Sequence, residues 1–352
     1  MKGLARTGRG APGWVEKAKP VAGPRDAIIK GIAYAPCTSD VHFIWSDIGD
    51  MLPSDRIMGH ESLGIVESVG NEVKDFKPGD RVVVPAITPN WSTVPSQLGR
   101  SQHCEGPLTG MPFDLLKDGT LAEYYHVNDA DANLAHLPNG VTLEQALMCV
   151  DMMTTGFYGA EMADVKLGDT VAVFGIGPVG LMAVAGAHLL GAARILAVGS
   201  RPNLVKLARE YGATDIIDYH NGNTAKQIMD LTDGQGVDAV VVAGGNASTI
   251  GEGLEVLKYG HTLANLNVME EASVPVPMAP MAFGIGGKTI RGDLCPGGRA
   301  RMEKLLALVK AGRVDPGKLI NYRYTKLEDL MTALMVMHDK PKDLIKAAVF
   351  LE

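Results

Sequence analysis

Gly, Pro or a charged residue interrupts every long apolar run in this chain, so no stretch has the make-up of a membrane span. Cysteine is scarce. Cys37, Cys104, Cys149 and Cys295 are scattered, and no two form a C-x-x-C pair. That spacing speaks against a disulfide framework and a structural zinc held by clustered thiolates, and fits a reducing cytoplasm. Positive charge is also in deficit. There are 33 Lys+Arg against 40 Asp+Glu, a formal net charge of -7. Such an acidic balance speaks against a nucleic-acid or anionic-membrane partner. The first residues carry basic side chains without the apolar core of a secretory signal. There is no internal repeat and no low-complexity tract. What remains is ordinary for a globular protein: 352 residues, 46% apolar and 21% charged. A chain of this size makes about two domains.

The most informative stretch begins at Val171. Residues 171–174 read as a buried parallel strand. Gly175-Ile176-Gly177-Pro178-Val179-Gly180 follows, a G-x-G-x-x-G turn, and residues 179–190 then read as a helix. Residues 194–198 read as a second buried strand. This strand, turn, helix and strand make a dinucleotide-binding unit. Gly175 permits the turn, Gly177 lets a pyrophosphate approach the backbone, and Gly180 lets helix and strand close up. The helix N-terminus offers free N–H groups and its positive dipole end to the phosphates.

The end of the second strand lacks something too. An NAD-binding unit carries an Asp or Glu there for the ribose 2′-hydroxyl. Here the strand ends Gly199-Ser200-Arg201, with no carboxylate. A small residue, a hydroxyl and a guanidinium suit a 2′-phosphate, which favours NADP(H).

Residues 26–35, 63–69, 81–84 and 121–127 are short β-like runs broken by Gly, Pro and Asp. They predict an all-β or barrel-like first domain. Residues 88–118 form a long irregular stretch, which is usually functional or covers something. From about residue 152 strands and helices alternate. Further strands are expected at 215–218, 237–243, 261–266 and 289–291, with helices at 202–211, 224–232 and 248–257. Six strands with intervening helices predict one doubly wound parallel sheet. A helix at 299–311, a helical stretch at 327–337 and a strand at 347–351 are assigned back to the first domain.

Three residues of metal-ligand type stand out before residue 152. Cys37 lies in Ala35-Pro36-Cys37-Thr38-Ser39-Asp40-Val41-His42, His60 in Gly59-His60-Glu61, and Asp151 in Val150-Asp151-Met152. A thiolate, an imidazole and a carboxylate make a three-ligand zinc set with a fourth position open for water or substrate. Their wide spacing leaves other readings open. A lone Cys is more often an inert core residue, and a lone Asp after an apolar run more often a helix cap.

The longer string from Gly59 to Val73, GHESLGIVESVGNEV, resembles the signature of the zinc-dependent alcohol dehydrogenases of the medium-chain dehydrogenase/reductase superfamily. So do Cys37 to His42, Asp75 to Val82 and Gly175 to Gly180, and the resemblance spans the whole chain. Within that family the chain is most similar to the NADP-dependent secondary alcohol (isopropanol) dehydrogenases. The matching strings are residues 35–40, 84–89, 151–156, 197–202 and 294–299.

The resemblance implies an α/β fold: a GroES-like β-barrel catalytic domain at 1–151 and 295–352, and a Rossmann domain at 152–294 with a doubly wound, parallel, six-stranded sheet. It implies that Cys37, His60 and Asp151 ligate a catalytic zinc, with Glu61 as an occasional extra ligand. Ser39 and His42 match the proton relay, and Thr155 a contact to the nicotinamide. Gly199, Ser200, Arg201 and Tyr219 match the surroundings of the 2′-phosphate. Ala86, Met111, Val268, Leu294 and Cys295 are expected to line the substrate pocket. Met111 and Val268 are departures, because relatives tend to have Trp and Tyr there. The lobe that holds a structural zinc in many relatives has only Cys104 here, so one zinc per chain is expected. Relatives are homotetramers.

The expected reaction interconverts a small secondary alcohol and a ketone. Zinc binds the substrate oxygen as a Lewis acid, Ser39 and His42 carry the proton, and hydride passes between carbinol carbon and nicotinamide. The active site is expected in a cleft between the domains. A polyol or amino-alcohol dehydrogenase of the same fold is the alternative. A nucleotide-binding regulatory protein would have no need of Cys37, His60 and Asp151 together.

Overall fold

In the computed structural model, which describes residues 1–269, 271 and 273–352, six parallel strands form one sheet. Their order is Asp215–Ile217, Arg194–Val198, Thr170–Phe174, Val237–Val242, Leu257–Asn265 and Thr289–Gly292. Numbered along the chain this is 3-2-1-4-5-6, the order that reverses direction beside the first strand. The strands are apolar runs because most of the sheet is covered on both faces. Val240, Val241 and Val242 have no exposure. Each such side chain contributes roughly 1.5–3 kcal/mol by leaving water. Phe174, Leu196, Val240, Leu254 and Leu263 belong to one core cluster of this unit. The edge strand Thr289–Gly292 is the exception, exposed at every residue.

The chain divides into two compact units. This sheet and its helices make up Thr155–Leu294. The other unit joins Met1–Thr154 to Cys295–Glu352. It holds a sheet ordered Ile320–Tyr324, Lys346–Phe350, Ala27–Tyr34, Ser62–Val69, Arg81–Val84 and Ala135–His136, with Tyr124–Val127 also paired to Ala27–Tyr34. Its pairs are antiparallel except Ile320–Tyr324 with Lys346–Phe350.

Several elements go beyond the sequence-based expectations. Lys2–Gly8 and Ala11–Glu16 form a hairpin that also pairs with Arg56–Ile57. Residues 2–8 have no strict apolar alternation, yet the middle four are all buried. Ile320–Tyr324 is a further strand and Thr38–Trp45 a further helix. The expected helix at 248–257 is Ala247–Val256, and Leu257 already belongs to the next strand.

Candidate active site

Cys37 stands at the N-cap of helix Thr38–Trp45, where Asp40 reaches back to accept the Cys37 backbone N–H at 2.6 Å. That closure fixes the cap, as a capping box does. Ser39 and His42 are three residues apart on this helix and so share a face. His60 and Glu61 lead into strand Ser62–Val69. Asp151 lies in Cys149–Met153, a wide π-type turn between helices Leu143–Met148 and Thr154–Met162. Such turns add a residue to the helix and redirect its side chains, often at functional sites.

These separate elements bring Cys37, His60, Glu61 and Asp151 together, each offering a ligand atom within 4.8 Å of the others. Cys37 Sγ lies 3.6 Å and His60 Nε2 3.7 Å from Asp151 Oδ2. Ser39 Oγ lies 3.3 Å from His60 Nε2. The cluster is mostly dry: His60 is 2% exposed and Glu61 0%. Burial pushes the Cys37 thiol up and the Glu61 carboxyl up to about 7, the latter against the pull of Lys346. Burial opposes charge on His60, but bonds to Asp114, Asp151 and Cys37 raise its pKa well above the ordinary imidazole value.

The Cys37 thiolate and the Glu61 and Asp151 carboxylates, crowded in one pocket, repel one another once ionised. Glu61 Oε2 is buried without a hydrogen-bond partner among the described residues. A divalent cation relieves both features, and mixed S, N and O donors suit zinc. The residues therefore fit the metal expected of them.

Sequence reasoning assigned no role to Asp40, Asp114 or Lys346. Lys346 is 1% exposed and donates from Nζ to Glu61 Oε1 at 2.5 Å. Its signal was a single charge at the head of an apolar strand. Asp114 lies 3.0 Å from His60 Nδ1, and nothing in its irregular stretch marked it.

In the other unit, a cleft of ≈ 660 Å³ is lined by Gly175, Ile176, Gly177, Gly199, Ser200, Arg201 and Tyr219, among others. Gly175 takes φ +85, a left-handed value that favours glycine. A Cβ on Gly180 would lie 1.8 Å from the Gly175 carbonyl oxygen. Gly177 is different, since a Cβ there would meet nothing within 4 Å. It borders open space, as a backbone that cradles a pyrophosphate must, and Pro178 opens helix Pro178–Leu189 there. A Cβ on Gly199 would lie 2.2 Å from Ile176 Cγ1, so this glycine also serves packing between the two βα turns. Arg201 stands at the N-cap position of helix Pro202–Glu210 and lines the cleft. Tyr219 is half exposed on the rim. Thr155 lies in the first turn of helix Thr154–Met162. A separate cavity of ≈ 480 Å³ near Tyr158 and Arg291 contains none of these residues.

Of the residues expected to line the substrate pocket, Ala86, Met111 and Cys295 are buried in the unit that holds the metal-ligand cluster. The Ala86 N–H donates to the Val150 carbonyl, next to Asp151, at 3.2 Å. Leu294 and Val268 belong to the other unit, and Val268 is 52% exposed.

Comparison with known proteins agrees with both halves of this picture. Residues 23–139 match the alcohol dehydrogenase GroES-like domain, and residues 178–311 match the zinc-binding dehydrogenase family. The chain is 56% identical to an NADP-dependent isopropanol dehydrogenase of Thermoanaerobacter brockii and 50% identical to one of Clostridium beijerinckii, in each case over 100% of both chains. Among solved structures, the alcohol dehydrogenase TADH from Thermus sp. ATN1 superposes with a TM-score of 0.87 at 28% identity, over 99% of each chain.

Proposed function

Because the chain belongs to the zinc-dependent alcohol dehydrogenases, we propose that it interconverts secondary alcohols and ketones with NADP(H). The observation that carries this reading is the convergence of Cys37, His60, Glu61 and Asp151 in one largely buried cluster. Cys37, His60 and Asp151 hold one catalytic zinc, and Glu61 stands by as a further donor. When bound, zinc supplies Lewis acidity at the substrate oxygen, and NADP(H) supplies or accepts the hydride. The remaining work falls to the chain. Ser39, placed by the first turn of its helix, takes the proton of the substrate hydroxyl. His42, one turn along the same face, hands it toward solvent. The 175–180 turn holds the pyrophosphate at a helix N-terminus. Ser200 and Arg201 hold the 2′-phosphate beside Gly199, with Tyr219 against the same end of the nucleotide. Thr155 contacts the nicotinamide.

The lobe with Cys104 binds no second zinc. Cys104 is buried, with Thr109 Oγ1 3.7 Å from its sulfur, and hydrogen bonds from the hydroxyls of Ser92 and Ser96 to Asn90, and from Thr93 to Ser96, tie the lobe together. The protein works as a homotetramer. Supporting this, the edge strand Thr289–Gly292 is exposed, and Phe283 and Ile285 nearby in sequence are 85% and 90% exposed. It acts in the cytoplasm, where cysteines outside any disulfide are stable. Among the described residues no helix is long and apolar enough to cross a membrane.

The test is a rate panel of short ketones, secondary alcohols, polyols and aldehydes, each with NADP(H) and NAD(H). Highest kcat/KM for secondary alcohols and ketones with NADP(H) is expected. A polyol preference, or equal use of NAD(H), overturns the assignment. The panel also reads pocket size. Met111 is adaptable and Val268 small, so a medium-length 2-ketone is favoured over acetone, and the preference falls in Met111→Trp with Val268→Tyr. An unchanged ratio removes those two residues as size determinants.

A further inference from the structure

His60 has two ring nitrogens, and the surrounding chain engages both. Nε2 faces Ser39 Oγ at 3.3 Å and Asp151 Oδ2 at 3.7 Å. Nδ1 faces the opposite way, 3.0 Å from Asp114 Oδ2 and 3.7 Å from Asp40 Oδ1. Only the first of these two carboxylates is at hydrogen-bond distance. Asp40 already spends its other oxygen, Oδ2, on the Cys37 backbone N–H at 2.6 Å. The two acids thus divide the work: Asp40 closes the helix that bears Cys37, and Asp114 meets the imidazole.

The chain goes to some cost to put Asp114 there. Its side chain is fully buried and its φ is +67, a conformation that non-glycine residues rarely adopt. The segment that follows is tied to the strand leading into His60. Gly119 N–H donates to Ile57 O at 2.7 Å, Leu121 N–H to Met58 O at 2.8 Å, and Thr120 N–H to Gly59 O at 2.7 Å. A Cβ on Gly119 would lie 2.4 Å from Gly59 O and 2.5 Å from Asp114 Oδ1, so the close approach requires glycine. Asp114 Oδ1 has no hydrogen-bond partner among the described residues. A buried carboxylate with one orphan oxygen and a strained backbone is a poor device for stability, since an apolar residue would cost less. Its placement makes sense through what its other oxygen does.

We infer that Asp114 is a positioning residue for His60: its carboxylate accepts the Nδ1–H, which fixes the tautomer and ring plane and turns the Nε2 lone pair toward Cys37 and Asp151. A carboxylate behind a metal-binding imidazole also makes the ring a stronger donor. This inference rests on the reading of His60 as a zinc ligand.

The experiment measures zinc affinity of metal-stripped full-length protein by competition with a chromophoric chelator, together with the visible absorption of the cobalt-substituted protein. The variants are Asp114→Asn, Asp114→Ala, Asp114→Glu and His60→Ala. Loss of the carboxylate in Asp114→Ala is expected to weaken zinc binding by about 10- to 100-fold, within the range for such outer partners. Asp114→Asn keeps size and an accepting oxygen but not the charge. It is expected to fall between Asp114→Ala and wild type, and it decides the matter if Asp114→Ala does not fold. Both should shift the cobalt bands, which a purely structural role would leave in place, and Asp114→Glu should restore part of the affinity. If His60→Ala releases zinc while folded Asp114→Asn keeps wild-type affinity and cobalt spectrum, the inference is wrong and the zinc site stands. If His60→Ala itself retains wild-type affinity, the underlying reading of the site fails.

Discussion

The cleft beside the 175–180 turn is lined by glycines from several turns and mostly short side chains, with one guanidinium, Arg201, and two carboxylates, Glu252 and Glu255. The metal-ligand cluster is made of ionisable side chains drawn from separate stretches, with His60 and Glu61 buried and Cys37 and Asp151 partly buried. None of the cleft's lining side chains is among the buried polar groups without a partner, so the first arrangement adds little strain to the protein. The second concentrates buried charge, orphan oxygens and a strained loop, and a cation relieves it. Substitutions in the two places should therefore fail differently: the cluster should lose stability and metal, the cleft only cofactor affinity.

The largest effect on stability is expected at the buried pair of Lys346 and Glu61. Lys346→Met leaves Glu61 without its cation in a dry site, which should cost about 3–5 kcal/mol. The double variant Lys346→Met with Glu61→Gln should recover most of that. Urea midpoints of the metal-free proteins measure both. Equal loss in the single and double variants would mean that packing, not charge, makes Lys346 necessary.

Next in size is the cleft. Arg201→Ala should weaken NADPH by about 10- to 100-fold, the size of one charge-assisted hydrogen bond. It should leave NADH binding and thermal stability nearly unchanged. Fluorescence titration of both cofactors reads the difference, and equal loss for the two would deny Arg201 its 2′-phosphate role. Gly199→Asp is the poorer test, because its Cβ would collide with Ile176 and disturb the turn itself.

The smallest effect is expected at an ion pair in the nucleotide-binding unit. Arg194 makes a two-pronged contact to Asp215 at 2.9 Å and 3.0 Å, and both side chains are partly exposed. Solvent screening limits such a pair to about 1 kcal/mol or less. The hydrogen bond from Arg194 lowers the Asp215 pKa. The sign follows from linkage: stability from a lowered carboxyl pKa is present above the unfolded value and is lost as pH falls through the folded one. The destabilisation in Asp215→Asn should thus be present at neutral pH and vanish at strongly acid pH. A deficit that persists or grows on acidification would assign the effect to something other than the ion pair.

The same contrast governs what the sequence could reveal. Gly175 to Gly180 lie within one turn, and their chemistry depends on backbone geometry that a short motif encodes, so the cleft is legible from local pattern. The parallel sheet is legible too, because six strands with helices between them leave few ways to wind one. Cys37, His60 and Asp151 meet only through the fold, and their pattern points to zinc only by family resemblance. Asp114 is invisible in sequence because its role depends on a loop lying back along residues 57–59. The π-type turn that presents Asp151 and the strand Lys2–Gly8 are equally hidden. The first arises from a register change within an apolar helical run, and the second from tertiary burial of residues without alternation.

Metal content tests the central claim most directly. Elemental analysis of the purified wild type, beside Cys37→Ser, His60→Ala and Asp151→Ala, counts zinc per chain while circular dichroism confirms folding. One zinc per chain in the wild type is predicted, with its loss and the loss of nearly all turnover in each variant. Two zincs per chain, or a folded His60→Ala protein that keeps its zinc and its activity, would contradict the account.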